Sequence, residues 1–327
     1  MFKRKLSALF GLINCRIGKF FSYVLDSIRH KTFVNLLKNH LTSFRAGLFF
    51  IILVLIALII PKHTVRYAVF AGYNADKTLH PYVITYLKGL NEITDGVVYI
   101  TDSELLPEEE KKLKGLVIHT EFKTHGEYDW GSYKKGLNWL KEKGYLKKAD
   151  EVILANDSCY APMTSFKPMF EEMATKKNLD FWGDSQNTMF TPHLQSYFLV
   201  FRKRVLNSKN FAIFMNQIKH FDDHREYILQ YETKLTQYLS SLGYRWDSYI
   251  PYKQLARFEY TDKNSYPLTL IRDYHHQFLK RRTFTTLLDI REDKQELLRY
   301  IRKHYPKRYD DIAKEISPYY IPKDLKD

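Results

Sequence analysis

The sequence predicts an α/β fold with a mostly parallel central sheet, preceded by a helical membrane anchor. Three observations carry this. From Pro61 onward, short apolar runs alternate with helical stretches, the pattern of strands covered on both faces. Ala46 to Ile60 pass without one polar side chain. The formal net charge of +14 is also unevenly spread, because residues 1–60 carry nine Lys or Arg against a single acid, Asp26.

The N-terminal segment comes first. As a helix, Ala46–Ile60 would be about 22 Å long at ~1.5 Å per residue, short of a bilayer core of ~30 Å. Before it, Phe20–Ile28 and Phe33–Leu41 mix Lys or Arg with Phe, Leu, Ile and Val, as interfacial amphipathic helices do. A basic surplus beside an apolar run points to a membrane surface with anionic lipid. No nucleic-acid module accompanies it, so nucleic acid is not expected as a partner. Pro61-Lys62 is no small-residue cleavage site, so the segment is read as an anchor and not a cleaved leader.

We divide the chain into an anchoring segment at 1–60, an α/β domain at 61–255 and a basic helical extension at 256–327. Within the domain, Tyr67–Ala71 reads as a strand leading into Gly72-Tyr73-Asn74, and Pro81–Leu90 as a helix. Val97–Thr101 is the next strand, a short helix starts at Pro107, and Leu116–His119 is a third strand. Ser132–Lys143 reads as a helix with Ser132 as N-cap and Tyr133, Leu137 and Leu140 on one face. Glu151–Ala155 is purely apolar at its centre, the mark of a buried strand. His193–Phe201 alternates polar and apolar before becoming fully apolar, as a strand whose start faces a cavity. Two cysteines, Cys15 and Cys159, form neither a disulfide framework nor a zinc pattern. No Gly-x-Gly-x-x-Gly and no phosphate-loop lysine follows a strand, which disfavours dinucleotide oxidoreductases and phosphate-loop kinases.

Ligands of open α/β sheets sit beyond the carboxyl ends of the strands, which singles out Asn74, Asp102, Gly126–Ser132 and Asn156-Asp157-Ser158. A hard cation bridging a diphosphate needs oxygen ligands at such a place, and Asp157 with Asn156 supplies them. The same tripeptide is also ordinary turn chemistry. Asp129, Gly131, Ser132 and Lys134 join a loop to a helix N-terminus, where amide donors and a lysine favour phosphate; a plain capped helix would look the same. Trp182, Asp184, His193 and Gln195 lie in two further polar stretches. In Arg225–Leu242, Glu232 falls on the apolar stripe formed by Ile228, Leu235, Leu239 and Leu242. A carboxylate there needs a partner, a chemical task or an edge position that reaches solvent.

Taken together, YAVFAGYNADKTLHPYV at Tyr67–Val83, GEYDWGSYKKGL at Gly126–Leu137, EVILANDSCYAP at Glu151–Pro162, DFWGDSQN at Asp180–Asn187 and HLQSYFLVFRK at His193–Lys203 resemble the rhamnan synthesis protein F family of bacterial cell-surface polysaccharide glycosyltransferases. NSYPLTL at Asn264–Leu270 and HQFLKRRTF at His276–Phe284 resemble its weaker C-terminal pattern. The resemblance spans about residues 66–285. It implies a GT-A-like nucleotide-binding fold, with Asn156-Asp157-Ser158 where relatives carry an Asp-x-Asp metal and diphosphate motif. Only Asp157 of that pair is kept, so metal dependence (Mg or Mn) stays open. Glu232, followed by Leu242-Gly243-Tyr244, matches where inverting relatives carry a general base, with Asp184 as second candidate. The resemblance further implies a nucleotide-sugar donor, dTDP-L-rhamnose, and a lipid-linked glycan acceptor. Bacterial nucleotide sugars are cytoplasmic, so the catalytic domain is expected on the cytoplasmic face of the inner membrane. An inactive scaffold of a polysaccharide-synthesis complex and a membrane-bound nucleotide-sugar hydrolase are the rival readings.

Overall fold

A computed structural model describes residues 63–188, 190–250, 263–285 and 290–325. The anchor expected at 1–60 lies outside the described residues. Among those described, no helix is long and apolar enough to cross a membrane. Residues 64–327 form one compact unit, into which the C-terminal extension is folded.

The strands are β1 (Arg66–Gly72), β2 (Gly96–Thr101), β3 (His119–Phe122), β4 (Glu151–Asn156), β5 (Cys159–Tyr160), β6 (Phe181–Gly183), β7 (Gln186–Asn187), β8 (His193–Leu194), β9 (Phe198–Arg202), β10 (Trp246–Ser248) and β11 (Leu279–Lys280). The longer helices are α1 (Pro81–Asn91), α2 (Tyr128–Glu142), α3 (Lys167–Thr175), α4 (Lys209–Asn216), α5 (Thr233–Ser241), α6 (Pro267–Tyr274), α7 (Lys294–His304) and α8 (Pro306–Ala313). Seven strands make the main sheet in the order β10-β6-β9-β4-β1-β2-β3. β4, β1, β2 and β3 run parallel, β10 runs parallel to β6, and β9 is antiparallel to both β4 and β6.

Successive strand residues point to opposite faces, so the apolar runs split into two cores. Ala68, Phe70, Tyr99, Ile153, Phe198 and Val200 pack on one face with α1, α3, α6, α7 and α8. Val69, Ile100, Val152, Leu154 and Phe201 pack on the other with α2, α4 and α5. β1, β2 and β4 are central and buried almost throughout, which is why their middles are continuously apolar. Helix α2 crosses β1 so closely that a Cβ at Gly136 would run into the Val69 side chain.

Three local expectations need correction. The third strand is His119–Phe122 and not Leu116–His119; its side chains are half-buried, so hydrophobicity marks it poorly. Helix α2 begins at Tyr128, four residues before Ser132, and Ser132 is a buried residue of its second turn. The predicted Arg225–Leu242 helix is an α-helical turn at His224–Tyr227, a π-helical turn at Ile228–Glu232 and then α5.

Candidate active site

The carboxyl ends of the parallel strands open onto two adjoining cavities of about 650 and 590 Å³. The smaller lies over Gly72 and Tyr73 after β1, Asp102 after β2, and Thr124 and Gly126 after β3. The larger lies between Asn156 and Ser158 at the end of β4, His193, Gln195 and Ser196, and the π-helical turn. Tyr128, Asp129, His224 and Arg282 line both.

The loop before α2 is organised by Asp102. Its carboxylate accepts the backbone N–H of His125 at 2.6 Å, of Gly126 at 2.8 Å and of Tyr128 at 3.1 Å. Gly126 takes the left-handed conformation at φ 71°, which glycine adopts without strain. Tyr128 follows at φ 52°, a conformation that costs a non-glycine residue energy and recurs at functional sites. The turn it makes holds the Tyr128 ring exposed at the junction of the cavities, edge-on to His224 and Tyr227.

Glu232 lines the larger cavity from the π-helical turn. A π turn holds one more residue than an α turn, which shifts the side chains on either side to different faces. The predicted stripe therefore divides: Leu235 and Leu239 enter the core, while Ile228 and Glu232 face the cavity. The Glu232 carboxylate accepts the Ser196 N–H at 2.9 Å and the Ser196 hydroxyl, and lies 3.5 Å from His193 Nε2. Burial pushes its carboxyl upward, but hydrogen bonds from His193 and Ser196 outweigh this and hold it below the usual range. Burial lowers His193 in turn, and Glu232 with the Thr191 carbonyl more than reverses that. Glu232 is thus ionised at neutral pH and 18% exposed to the cavity.

Asp129 lies half-buried at the junction, and its carboxylate accepts Asn156 Nδ2 at 2.5 Å. Burial, and then the charge of Asp157, push its carboxyl up to about 7. Asn156 completes the turn by accepting the Ser158 N–H at 3.1 Å and hydroxyl at 2.7 Å. Asp157 is 7% exposed, accepts the Tyr73 N–H at 2.8 Å and lines neither cavity. Burial pushes its carboxyl up to about 6, against the Tyr73 hydrogen bond and the nearby Arg281. Among the described residues no three His, Cys, Asp or Glu groups converge on one point. With its carboxylate turned to the Tyr73 N–H and away from both cavities, Asp157 does not fit as the holder of a donor-bound cation.

Other predicted site residues lie elsewhere. Ser132 Oγ meets His125 Nε2 at 3.0 Å under the loop. Gly131 leaves room where a Cβ would strike His125 and Glu127. Lys134 is engaged by Glu127 at 2.5 Å and the Ile218 carbonyl at 2.8 Å, away from both cavities. Asn74 is buried, with its N–H on Ser103 Oγ at 3.1 Å. Trp182 is enclosed between Phe170 and Phe198. Asp184 is fully buried against His276 Nε2 at 2.6 Å and the Tyr197 hydroxyl, reaching the cavity only through Tyr197. Asn156, Ser158, His193, Gln195, Asp129 and Glu232 do come together around the larger cavity.

Tyr128, within the expected Gly126–Ser132 stretch, lines it too, and sequence reading missed Lys280, Arg282 and Asn264, which also line it. The Lys280-Arg281-Arg282 run was the available signal. β11 pairs antiparallel with β5, Lys280 opposite Cys159, and so brings that run beside the end of β4.

Known proteins resemble parts of this chain. The uncharacterized protein y4gN of Sinorhizobium fredii is 26% identical over 155 residues, covering 46% of this chain and 39% of that protein. Virulence protein VirA of Vibrio anguillarum is 25% identical over 183 residues, covering 55% of this chain and 58% of that protein. The match thus spans about two fifths to three fifths of the length of these relatives. Among solved structures, a cytidylyltransferase from Leptospira borgpetersenii is 14% identical with a TM-score of 0.37, covering 76% of this chain and 97% of that one. The mannosyltransferase Ktr4p from S. cerevisiae in complex with GDP is 11% identical with a TM-score of 0.29, covering 46% and 60%. The profile described as Rhamnan synthesis protein F matches residues 97–323, and the chain belongs to that family.

Proposed function

We propose that this protein is an inverting glycosyltransferase, moving L-rhamnose from dTDP-L-rhamnose to a growing lipid-linked glycan of the cell surface. The observation that carries the reading is the ionised Glu232 carboxylate, held by Ser196 and His193 at the wall of a cavity that joins a second one over the strand ends. The smaller cavity, flanked by the exposed rings of Tyr73 and Tyr128, suits a nucleobase; the larger suits the sugar and acceptor. Glu232 takes the proton of the acceptor hydroxyl as its oxygen bonds to the anomeric carbon. The bond from that carbon to the diphosphate oxygen breaks, and its electron pair leaves with the diphosphate. Membership of the rhamnan synthesis protein F family supports the sugar-polymer context.

The deciding measurement incubates purified protein with nucleotide sugars, dTDP-L-rhamnose among them, and a lipid-linked acceptor. A new glycoside of inverted configuration is expected. Release of free sugar alone identifies a hydrolase, and no turnover with any donor identifies a scaffold. We assign the catalytic unit to the cytoplasmic face of the inner membrane through residues 1–60. Accessibility labelling that finds residues beyond Pro61 on the external face overturns that assignment.

A further inference from the structure

A diphosphate that joins a base in the smaller cavity to a sugar in the larger one crosses where the two meet, beside Asp129 and Arg282. A diphosphate carries two or more negative charges, so something positive must face it. Acidic groups do not supply a cation cage there. Asp157 is turned to the Tyr73 N–H and lines neither cavity, and no cluster of three metal-ligating side chains occurs among the described residues.

Cationic side chains do converge. The β5–β11 ribbon continues past the end of β4 through a bond from the Arg281 N–H to the Ser158 carbonyl at 3.0 Å. Lys280 Nζ stands 3.6 Å from the Tyr197 ring centroid and 3.3 Å from Ser158 Oγ, at the wall of the larger cavity. Arg281 turns away, over the Tyr82 ring at 4.6 Å, where it offsets the buried charge of Asp157. Arg282 is exposed, lines both cavities, and has no carboxylate ion-pair partner among the described residues. A guanidinium held without an acidic partner at a cavity junction is ready for an anion, and its planar fork matches phosphate oxygens.

We propose that Lys280 and Arg282, and not a protein-held divalent cation, bind the donor's diphosphate and stabilise it as it leaves. This rests on the glycosyl-transfer reading above. Ser158 and Asn156 fix the turn on which Lys280 leans, and Arg281 anchors the ribbon that carries both cations.

The test is calorimetric titration of the full-length chain with dTDP, UDP, GDP and inorganic pyrophosphate, each in EDTA and in magnesium. At least one nucleoside diphosphate is expected to bind in EDTA within about threefold of its affinity in magnesium. Lys280→Met and Arg282→Met are each expected to weaken it at least about tenfold, the scale of one lost charge-assisted hydrogen bond. Lys280→Arg, which keeps the charge, is expected to restore most of the affinity, and melting curves check that each variant is folded. Binding that requires magnesium and ignores both methionine substitutions overturns the proposal while leaving glycosyl transfer standing. Failure of the parent chain to bind any of the four probes in either buffer removes the nucleotide-sugar reading itself, and this proposal with it.

Discussion

Replacing Glu232 with Gln is expected to slow single-turnover sugar transfer at least about a hundredfold, with donor affinity nearly unchanged. A hundredfold is about 2.7 kcal/mol on the barrier, since each tenfold is about 1.36 kcal/mol. Glutamine keeps the shape, and its carbonyl still accepts the Ser196 N–H now held at 2.9 Å. It cannot take a proton, and it leaves His193 without its carboxylate partner. The change therefore separates chemistry from packing. The ion pair also makes stability depend on pH, with a sign that can be worked out. Glu232 titrates below its ordinary 4.5, so its contribution is present above about pH 4.5 and lost as pH falls through the lower folded value. His193 titrates above its ordinary 6.5, so its contribution is complete below about pH 6.5 and lost as pH rises through the higher folded value. The parent should lose Tm across that upper window, and Glu232→Gln should lose less. A melting series and a quenched-flow rate on the same preparation read both. Turnover within threefold of the parent, accompanied by a shifted Tm, would assign Glu232 to packing; the base would then be sought at Asp129, which lines the same cavity.

Asp157→Ala is expected to leave the Tyr73 N–H without its acceptor and to remove the negative charge beside Arg281, at a cost of about 1–3 kcal/mol for an unsatisfied group. Thermal unfolding should show that loss, at roughly 2–4 °C per kcal/mol for a unit of this size. Gly136→Ala forces α2 off Val69, and overpacking of this kind costs about 1–3 kcal/mol, measurable by urea unfolding. Asp129 titrates near 7 instead of its ordinary 3.8, so the fold loses stability as pH rises from about 4 to 7. Asp129→Asn should therefore raise Tm at pH 8 more than at pH 5; an equal effect at both pH values would refute the raised carboxyl.

Much of the scaffold was legible because its determinants are local. β1, β2 and β4 are apolar through their buried centres, and Pro81 and Pro107 mark helix starts where the missing N–H costs nothing. β3 was displaced by three residues because an edge strand with half-buried side chains carries little pattern. The start of α2 was missed for a similar reason. The capping group of that region is Asp102, which satisfies backbone donors from a distant loop, so no serine or aspartate stands at the cap itself. In Asp180–Asn187, Trp182 and Asp184 were candidate site residues because they stand in a polar stretch beside a strand. Both are enclosed instead, because β6 is an interior strand lying between β9 and β10.

The site itself divides along the same line. Glu232 could be singled out because a carboxylate on an apolar stripe contradicts its surroundings, and contradictions are visible in a sequence. The π turn that aims it was not, since nothing in Ile228–Glu232 demands an extra residue per turn. Lys280 and Arg282 contradict nothing where they stand: a basic run in a basic chain reads as a solvated face. Their meaning arises only when β11 pairs with β5, bringing Lys280 against Ser158 across 122 residues of sequence. A buried carboxylate announces itself by its cost, whereas a cation at a cavity mouth costs little until its anion arrives. The acidic half of this site was therefore open to sequence reasoning, and the basic half had to wait for the pairing of two short strands.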